Sequence, residues 1–466
     1  MASKRDQLQA YQFLIQRAIS ALVTRETDPE QPPFRRPAGA SFAGIALAVI
    51  ALACVGVYGL IVPGGNSAWR SGDAVIVEKE TGTRYVYLDG QLHPVTNYAS
   101  ALLLVGDHAK TQLVSRDSLV DVPRGPRIGI PDAPDALPAA DRLLTGSWSL
   151  CSTPAADAAG ARVEESVLLV GASPTGGAPL GDAALLVELA GTSDRFLVWR
   201  GYRHKITDYA TVGTGLALTS EPWAKASQEW LDMLPVGTPI GPITPAEPGA
   251  PSSAIPARPD LKVGALLVVE TSGGGLQYFL AEQAILRPIT ALQYDVQRAH
   301  TGAAMPLTPS LAASAKRLDP PGANASDAPA HRPKIASPRD RATVCATFDP
   351  GATTARITLN PGLPPGDTMT TTARNTERGI PLADHIHVPP GWAAVVEAMP
   401  SAEAPTGTLT VVTDMGRRYS VGEPDVLKML GYGGANPVRM PAGLVARLPE
   451  GPGLDPQAAF RQSLVG

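Results

Sequence analysis

Polarity divides the chain into three stretches. In the first, Leu8, Tyr11, Ile15, Ala18 and Leu22 recur at steps of 3, 4, 3 and 4, flanked by Leu14 and Ile19. That spacing predicts an amphipathic helix with one apolar stripe. Ser3 suits its N-cap, Asp6 its first turn, and Pro29, Pro32 and Pro33 stop it. Residues 1–40 hold no domain for this stripe to pack on, so it needs a partner chain or a membrane surface. The second stretch, Ser41–Val62, is apolar all round, without charge, amide or proline. At about 1.5 Å per residue it spans about 33 Å, the thickness of a hydrocarbon core. A cleaved signal peptide would have a shorter apolar run at the extreme N-terminus. Here forty mostly polar residues come first, and no second run approaches this length, which predicts one retained transmembrane helix.

From Pro63 onward, short β-type runs alternate with Gly, Pro and Asp, and they repeat. AVIVEKETGTRYVYLDGQLHPV starts at Ala74, ALLVELAGTSDRFLVWRGYRHKI at Ala184, ALLVVETSGGGLQYFLAEQAILRPI at Ala265 and TLTVVTDMGRRYSV at Thr408. Each reads as a β-hairpin around a Gly-bearing turn. A basic or amide residue followed by an aromatic comes next: Arg84-Tyr85, Arg195-Phe196, Gln277-Tyr278 and Arg418-Tyr419. A helical pattern follows in places, as at Ala99–Leu104 and Glu423–Leu430. Three units end alike, with VPRGPRIGIP at Val122, LPVGTPIGPI at Leu234 and LPEGPGLDP at Leu448. The four aromatic pairs are too dispersed for one active site and are expected to be structural.

The cysteines follow the same repetition. Cys54 lies in the apolar span; Cys151 follows Tyr85 by 66 residues, and Cys345 follows Tyr278 by 67. The chain is therefore expected to be duplicated, with halves near 69–245 and 262–456. Each half runs module, cysteine segment, module. The expected boundaries are modules at 69–135, 181–245, 262–318 and 405–457, with a central domain built from 140–180 and 335–402. The fold class is α+β: an elongated body of four small modules around a β-rich centre with pseudo-two-fold symmetry. In an oxidising compartment Cys151 and Cys345 would form a disulfide across that axis. The alternative is two unrelated buried thiols, and zinc is disfavoured because neither has a CxxC or a histidine cluster beside it. Arg35 and Arg36 precede the span and the next basic residue is Arg70, which places the N-terminus inside and the body outside the cytosol.

Composition adds little chemistry. The formal charge is −4, which argues against nucleic-acid binding. Gly and Pro, 46 each, are concentrated in connectors, notably Leu234–Pro259 and Asp319–Pro338, which read as semi-rigid spacers. No Gly is followed by Lys, so a Walker A loop is absent, as are HExxH and GxSxG. Gly431-Tyr432-Gly433-Gly434 follows a helical pattern and reads as a helix terminus. His385 and His387 would share one strand face but lack a third ligand, and Glu164-Glu165 and Asp132 with Asp135 read as solvated charge. No catalytic residue, metal or cofactor is expected from these patterns.

The order of these parts resembles the EccB family, the single-pass subunit of the ESX, or type VII, secretion system. The resemblance is carried by QLQAYQFLIQRAISALVTR from Gln7, the span from Ser41, TGTRYVYLDGQLHPVTNYASALLLVG from Thr81, PRGPRIGIPDAP from Pro123 and the two cysteine segments. It implies a scaffold in an inner-membrane core complex, embedded in the lipid bilayer. It also implies association with EccC, EccD, EccE and MycP-type subunits, and dimers or larger rings. The exported substrates would be WXG100, PE and PPE proteins. The family is also described as ATPases, which makes ATP a cofactor by resemblance only, with no residue to carry over. Two other functions fit the layout: a membrane-anchored ATPase within the same complex, and a membrane-tethered cell-wall binding module.

Overall fold

The computed structural model describes residues 3–23, 25, 35–61, 67–106, 110–319 and 324–461. The linker after the first helix, Val62 and part of the Asp319–Pro338 spacer fall outside them. The first helix runs Lys4–Val23, and at its start Ser3 and Asp6 bond each other reciprocally, the Ser3 N–H donating to Asp6 Oδ2 at 3.0 Å and the Asp6 N–H to Ser3 Oγ at 3.3 Å. The apolar helix runs Arg35–Ile61, beginning before the expected span, because a proline at position 37 falls in its first turn, where no N–H is needed. Its Gly39–Tyr58 segment has mean hydropathy 2.4 and no residue buried, and it is the one helix among the described residues long and apolar enough to cross a membrane.

Four four-stranded sheets follow, all ordered third–second–first–fourth strand. The first three strands are antiparallel neighbours, and the fourth returns parallel to the first after a short helix. The first strands are Ala74–Glu78, Leu185–Leu189, Leu266–Glu270 and Ala394–Met399. Module 4 therefore takes its first strand from before residue 405, from a run assigned by the sequence to the central domain.

That shift changes which residues are equivalent. The Val95 N–H donates to the Arg84 carbonyl, Ile206 to Arg195 and Val421 to Leu409, and Ile289 faces Tyr278. Arg84, Arg195, Tyr278 and Leu409 are thus one position, and Tyr85, Phe196, Phe279 and Thr410 the buried next one. Pairing Gln277 with Arg84 is a slip of one residue, which exchanges the two faces of a strand. Arg418-Tyr419 belongs to the third strand of module 4, Arg418–Ser420, not to the second. With the register corrected, Cys345 follows Phe279 by 66 residues, the same interval that separates Cys151 from Tyr85.

The three shared exits also acquire a cause. Each exit segment bridges its module's third strand, at Leu92–Arg124, Arg203–Val236 and Arg418–Glu450. A Cβ on Gly125 would lie 2.2 Å from His93, one on Gly237 2.3 Å from His204, and one on Gly451 2.2 Å from Tyr419. A third-strand ring lies flat on the exit glycine in each case. Module 3 bridges Leu286 to Arg317; it carries Arg287 at the ring position and Leu318 at the glycine position.

One face of each sheet must be covered, and the modules do this differently. Trp69 and Leu119 cover module 1, and Ala254 and Ile255 of the proline-rich linker, with Leu261 just after it, cover module 3. Modules 2 and 4 pack on the central sheet through one shared core that includes Trp148, Leu150, Trp230, Phe348 and Leu444. The helices then join modules in pairs: Tyr98–Val105 of module 1 meets Pro424–Met429 of module 4, and Tyr209–Gly215 of module 2 meets Ala291–Thr301 of module 3. The order in space is module 1, module 4, centre, module 2, module 3.

Candidate functional site

The centre is a seven-stranded sheet whose middle pair, Trp148–Ala156 and Val344–Phe348, comes one strand from each half. They run antiparallel with Cys151 opposite Cys345, Cα atoms 4.0 Å apart, joined as a disulfide. On the same face the Thr153 and Thr343 hydroxyls meet at 3.0 Å and those of Ser149 and Thr347 at 2.9 Å. The result is a ladder of hydroxyl pair, cystine, hydroxyl pair along the two strands, centred on the pseudo-two-fold axis. Both cysteines are fully buried, with Val167 and Leu169 of the neighbouring strand packed beside them. Among the described residues the remaining cysteine, Cys54, is exposed on the apolar helix.

The strand Arg162–Leu169 from the first half pairs in parallel with His385–His387 from the second. The Ser166 N–H and hydroxyl both donate to Asp384 Oδ2 at 2.8 Å, and the Asp384 N–H donates to Ser166 Oγ at 3.0 Å. Arg374 bridges Glu165 and Asp384 at 3.1 Å each, and His385 Nε2 meets Glu165 at 3.1 Å. His387 instead contacts Thr368, so the two histidines are committed separately, and no metal-binding cluster occurs among the described residues.

The acidic pair at 164–165 is not simply solvated, because the two halves meet over it. Glu165 belongs to the network just described. Glu164 is half-buried where module 2 meets the central sheet, and burial pushes its carboxyl up to about 7, against the hydrogen bond from Ser152 and the charges of Lys225 and Arg341. Ser152 is itself held by the Ser227 N–H of module 2 at 2.9 Å. Asp135 pairs with Arg84 at 3.0 Å. The glycines at 431–434 follow the helix Pro424–Met429, and Gly431 has φ 87°, as a helix terminus requires.

The repeat residues divide by position. Arg195 lies over Tyr209 at 3.8 Å from the ring centre and faces Trp223, while Phe196 is in the core. Tyr85 donates to Glu78 and is covered by Arg124. Gln277 is exposed, and Tyr278 stacks on Tyr294 at 4.1 Å. Arg418 bonds Glu450 at 2.9 Å, and Tyr419 is the ring over Gly451. Leu8, Tyr11, Ile15, Ala18 and Leu22 are all exposed along the first helix. Sequence reasoning missed the ring–glycine pairs, although the shared exit glycines were a sufficient signal once each exit was set against a third strand.

A family model described as "Type VII secretion system ESX-1, transport TM domain B" matches residues 1–464. The ESX-1 secretion system ATPase EccB1 of Mycolicibacterium smegmatis (strain MKD8) is 27% identical over 468 residues, covering 97% of this chain and 94% of that protein. The ESX-2 secretion system ATPase EccB2 of Mycobacterium tuberculosis (strain H37Rv) is 28% identical over 323 residues; the match spans 66% of this chain and 62%, less than two thirds, of that relative. Among solved structures, a chain of an intact ESX-5 inner membrane complex superposes with TM-score 0.66 at 24% identity, covering 100% of this chain and 96% of that one. A chain of the EccB3 dimer from the ESX-3 core complex gives 0.62 at 22% identity, covering 83% and 100%.

Proposed function

Because this chain belongs to the EccB family of type VII secretion transport proteins, we propose that it is a structural core subunit of an ESX-type inner-membrane secretion complex. The observation that carries this reading is the cystine-pinned body in which modules 2 and 4 share one core with the central sheet and module 1 packs on module 4. A rod of rigidly joined modules on one apolar helix suits holding other subunits in place. The helix Arg35–Ile61 crosses the inner membrane once, the first helix stays in the cytosol, and the modules lie on the far side. The arginines before the span and the disulfide both favour that orientation. Copies of the chain associate through the modules. The exposed stripe of the first helix meets a cytosolic partner chain; the other subunits of the complex are of the EccC, EccD and EccE kinds, with a MycP-type protease associated, and the complex exports WXG100, PE and PPE proteins.

The relatives carry ATPase in their names, which sustains a second reading as a membrane-anchored ATPase. The chain has no phosphate-binding loop by sequence, so the scaffold is the stronger reading. Tagged protein extracted from native membranes in mild detergent separates the two. The scaffold reading expects a motor-type ATPase subunit to co-purify and nucleotide hydrolysis to leave with it. Recovery as a solitary chain that still hydrolyses ATP would replace it with the second reading.

A further inference from the structure

A cavity of about 640 Å³ opens where four segments meet: the module 2 turn at 199–202, the start of the module 3 helix at Thr290 and Gln293, the loop at 324–330, and the central-sheet turn at Thr353 and Thr354. That volume is within the range of ligand sites. Its walls are fixed in several places. Gly201 has φ +79°, and a Cβ there would lie 2.9 Å from the Ala355 carbonyl, so the module 2 turn lies directly on the central sheet. The Leu292 N–H donates to the Ala330 carbonyl at 3.0 Å and the Thr238 N–H to the Ser326 carbonyl at 2.8 Å, tying the loop to both modules.

The cavity carries one uncompensated charge. The guanidinium of Arg200 is matched by Asp182 at 3.2 Å. The carboxylate of Asp327 is not matched. Its Oδ1 accepts from the Thr238 hydroxyl at 3.3 Å and its Oδ2 from the Asn324 N–H at 2.8 Å, and no cation pairs with it among the described residues. His204 bonds the Thr238 carbonyl through Nδ1 at 2.8 Å, but burial holds its imidazole below the ordinary 6.5, so it stays neutral at neutral pH and does not balance Asp327. The Tyr202 and Thr353 hydroxyls and the Asn324 and Gln293 amides also line the space, and the methyl groups of Ala325, Ala328 and Ala330 give it apolar patches.

We infer that this cavity receives a lysine side chain carried on an extended segment of a partner protein. The ammonium is a compact charge with three donors, and each Asp327 oxygen keeps a lone pair for it. A guanidinium would need both oxygens in one planar fork, a geometry the Thr238 and Asn324 bonds obstruct. The lysine stem lies on the alanine methyls, as long cationic side chains do on apolar surface. The segment's own amides exchange hydrogen bonds with Tyr202, Asn324 and Gln293, which a bare amine could not do. The nine lysines of this chain all sit in helices, strands or turns held by backbone hydrogen bonds, so the segment belongs to another protein rather than to a second copy. The inference stands on the cavity alone and does not depend on the secretion reading.

The test uses the full chain in detergent micelles and an acetylated, amidated pentapeptide, Ala-Ala-Lys-Ala-Ala, read by calorimetry and saturation-transfer NMR. Saturable binding is expected, and norleucine in place of the lysine should weaken it by about tenfold or more. Asp327→Asn keeps the shape of the side chain and should weaken binding by on the order of tenfold with an unchanged melting curve. Should that variant fail to fold, Ala325→Trp fills the cavity from an exposed position and should abolish binding. No saturable binding by the wild-type chain up to about 5 mM overturns the inference. Equal binding of the norleucine peptide, tighter binding of an arginine peptide, or binding that Asp327→Asn or Ala325→Trp leaves intact does the same. Butylamine competing as well as the peptide would give the cavity to a small amine, and peptide-driven dissociation of self-associated chains in sedimentation would give it to a second copy; either result also overturns the inference.

Discussion

Glu164→Gln should make the protein more stable at neutral and alkaline pH, although it removes a charge from between Lys225 and Arg341. The ordinary glutamate value is 4.5, and burial raises it to about 7 in the fold. Below 4.5 the carboxyl is protonated whether the chain is folded or not. Between 4.5 and 7 the folded state keeps its proton while the unfolded state loses it, so folding stability falls as pH rises and then levels off above 7. A shift of that size corresponds to at most about 3.4 kcal/mol. Glu164 is half-exposed, and solvent screening reduces the effect to about 1–2 kcal/mol. Glutamine keeps the shape and can still accept from the Ser152 hydroxyl, but it does not titrate. The assay is chemical unfolding of the wild type and the variant at intervals from pH 4 to 8.5. The difference between the two curves should grow from near zero at pH 4 to its plateau above pH 7, in favour of the variant. Parallel curves, or a variant less stable at pH 8, would refute the burial argument and show that the two cations compensate for the desolvation of the carboxylate.

Three more predictions follow from the same geometry. His204 is fully buried, Nδ1 bonds the Thr238 carbonyl at 2.8 Å, Nε2 has no partner among the described residues, and burial holds the imidazole below its ordinary 6.5. Stability should therefore be lost as pH falls below 6.5, and His204→Asn should flatten that limb of the unfolding profile. Gly451→Ala should cost about 1–3 kcal/mol by driving a methyl into Tyr419, whereas Gly434→Ala, with nothing within 4 Å, should be near neutral. Adding Tyr419→Leu should recover much of the loss in a double-mutant cycle. Replacing Cys151 and Cys345 together by serine opens a loop of 194 residues, and melting should fall by an amount equivalent to as much as about 5 kcal/mol. Native wild-type protein, its sulfurs buried, should resist dithiothreitol until denaturant is added.

Most of the architecture was legible because repetition is a strong signal. The apolar run at Ser41, the hairpins from Ala74, Ala184 and Ala265, and the spacing of the two cysteines each pointed to the same plan. The errors have a common origin. In module 4 the hairpin at Thr408 looks like a first and second strand, but the first strand, Ala394–Met399, lies upstream and belongs to the same sheet. In module 3 a longer first turn, with three consecutive glycines, moved the aromatic by one position and exchanged the strand's faces. Local pattern does not determine which strand a hairpin leans on; hydrogen-bond register does. The half-burial of Glu164 was not legible either, because it arises where module 2, with Lys225 and Ser227, docks on the central sheet beside a strand far away in sequence.

Two halves of one chain face each other across a cystine, which the proposed orientation puts outside the cytosol. Peptide mapping of protein alkylated in native membranes, without reduction, tests this directly. The expected result is one intramolecular linked peptide containing Cys151 and Cys345, with Cys54 unlinked. Alkylated thiols at 151 and 345, or a link between two chains, would contradict both the two-fold centre and its location beyond the membrane.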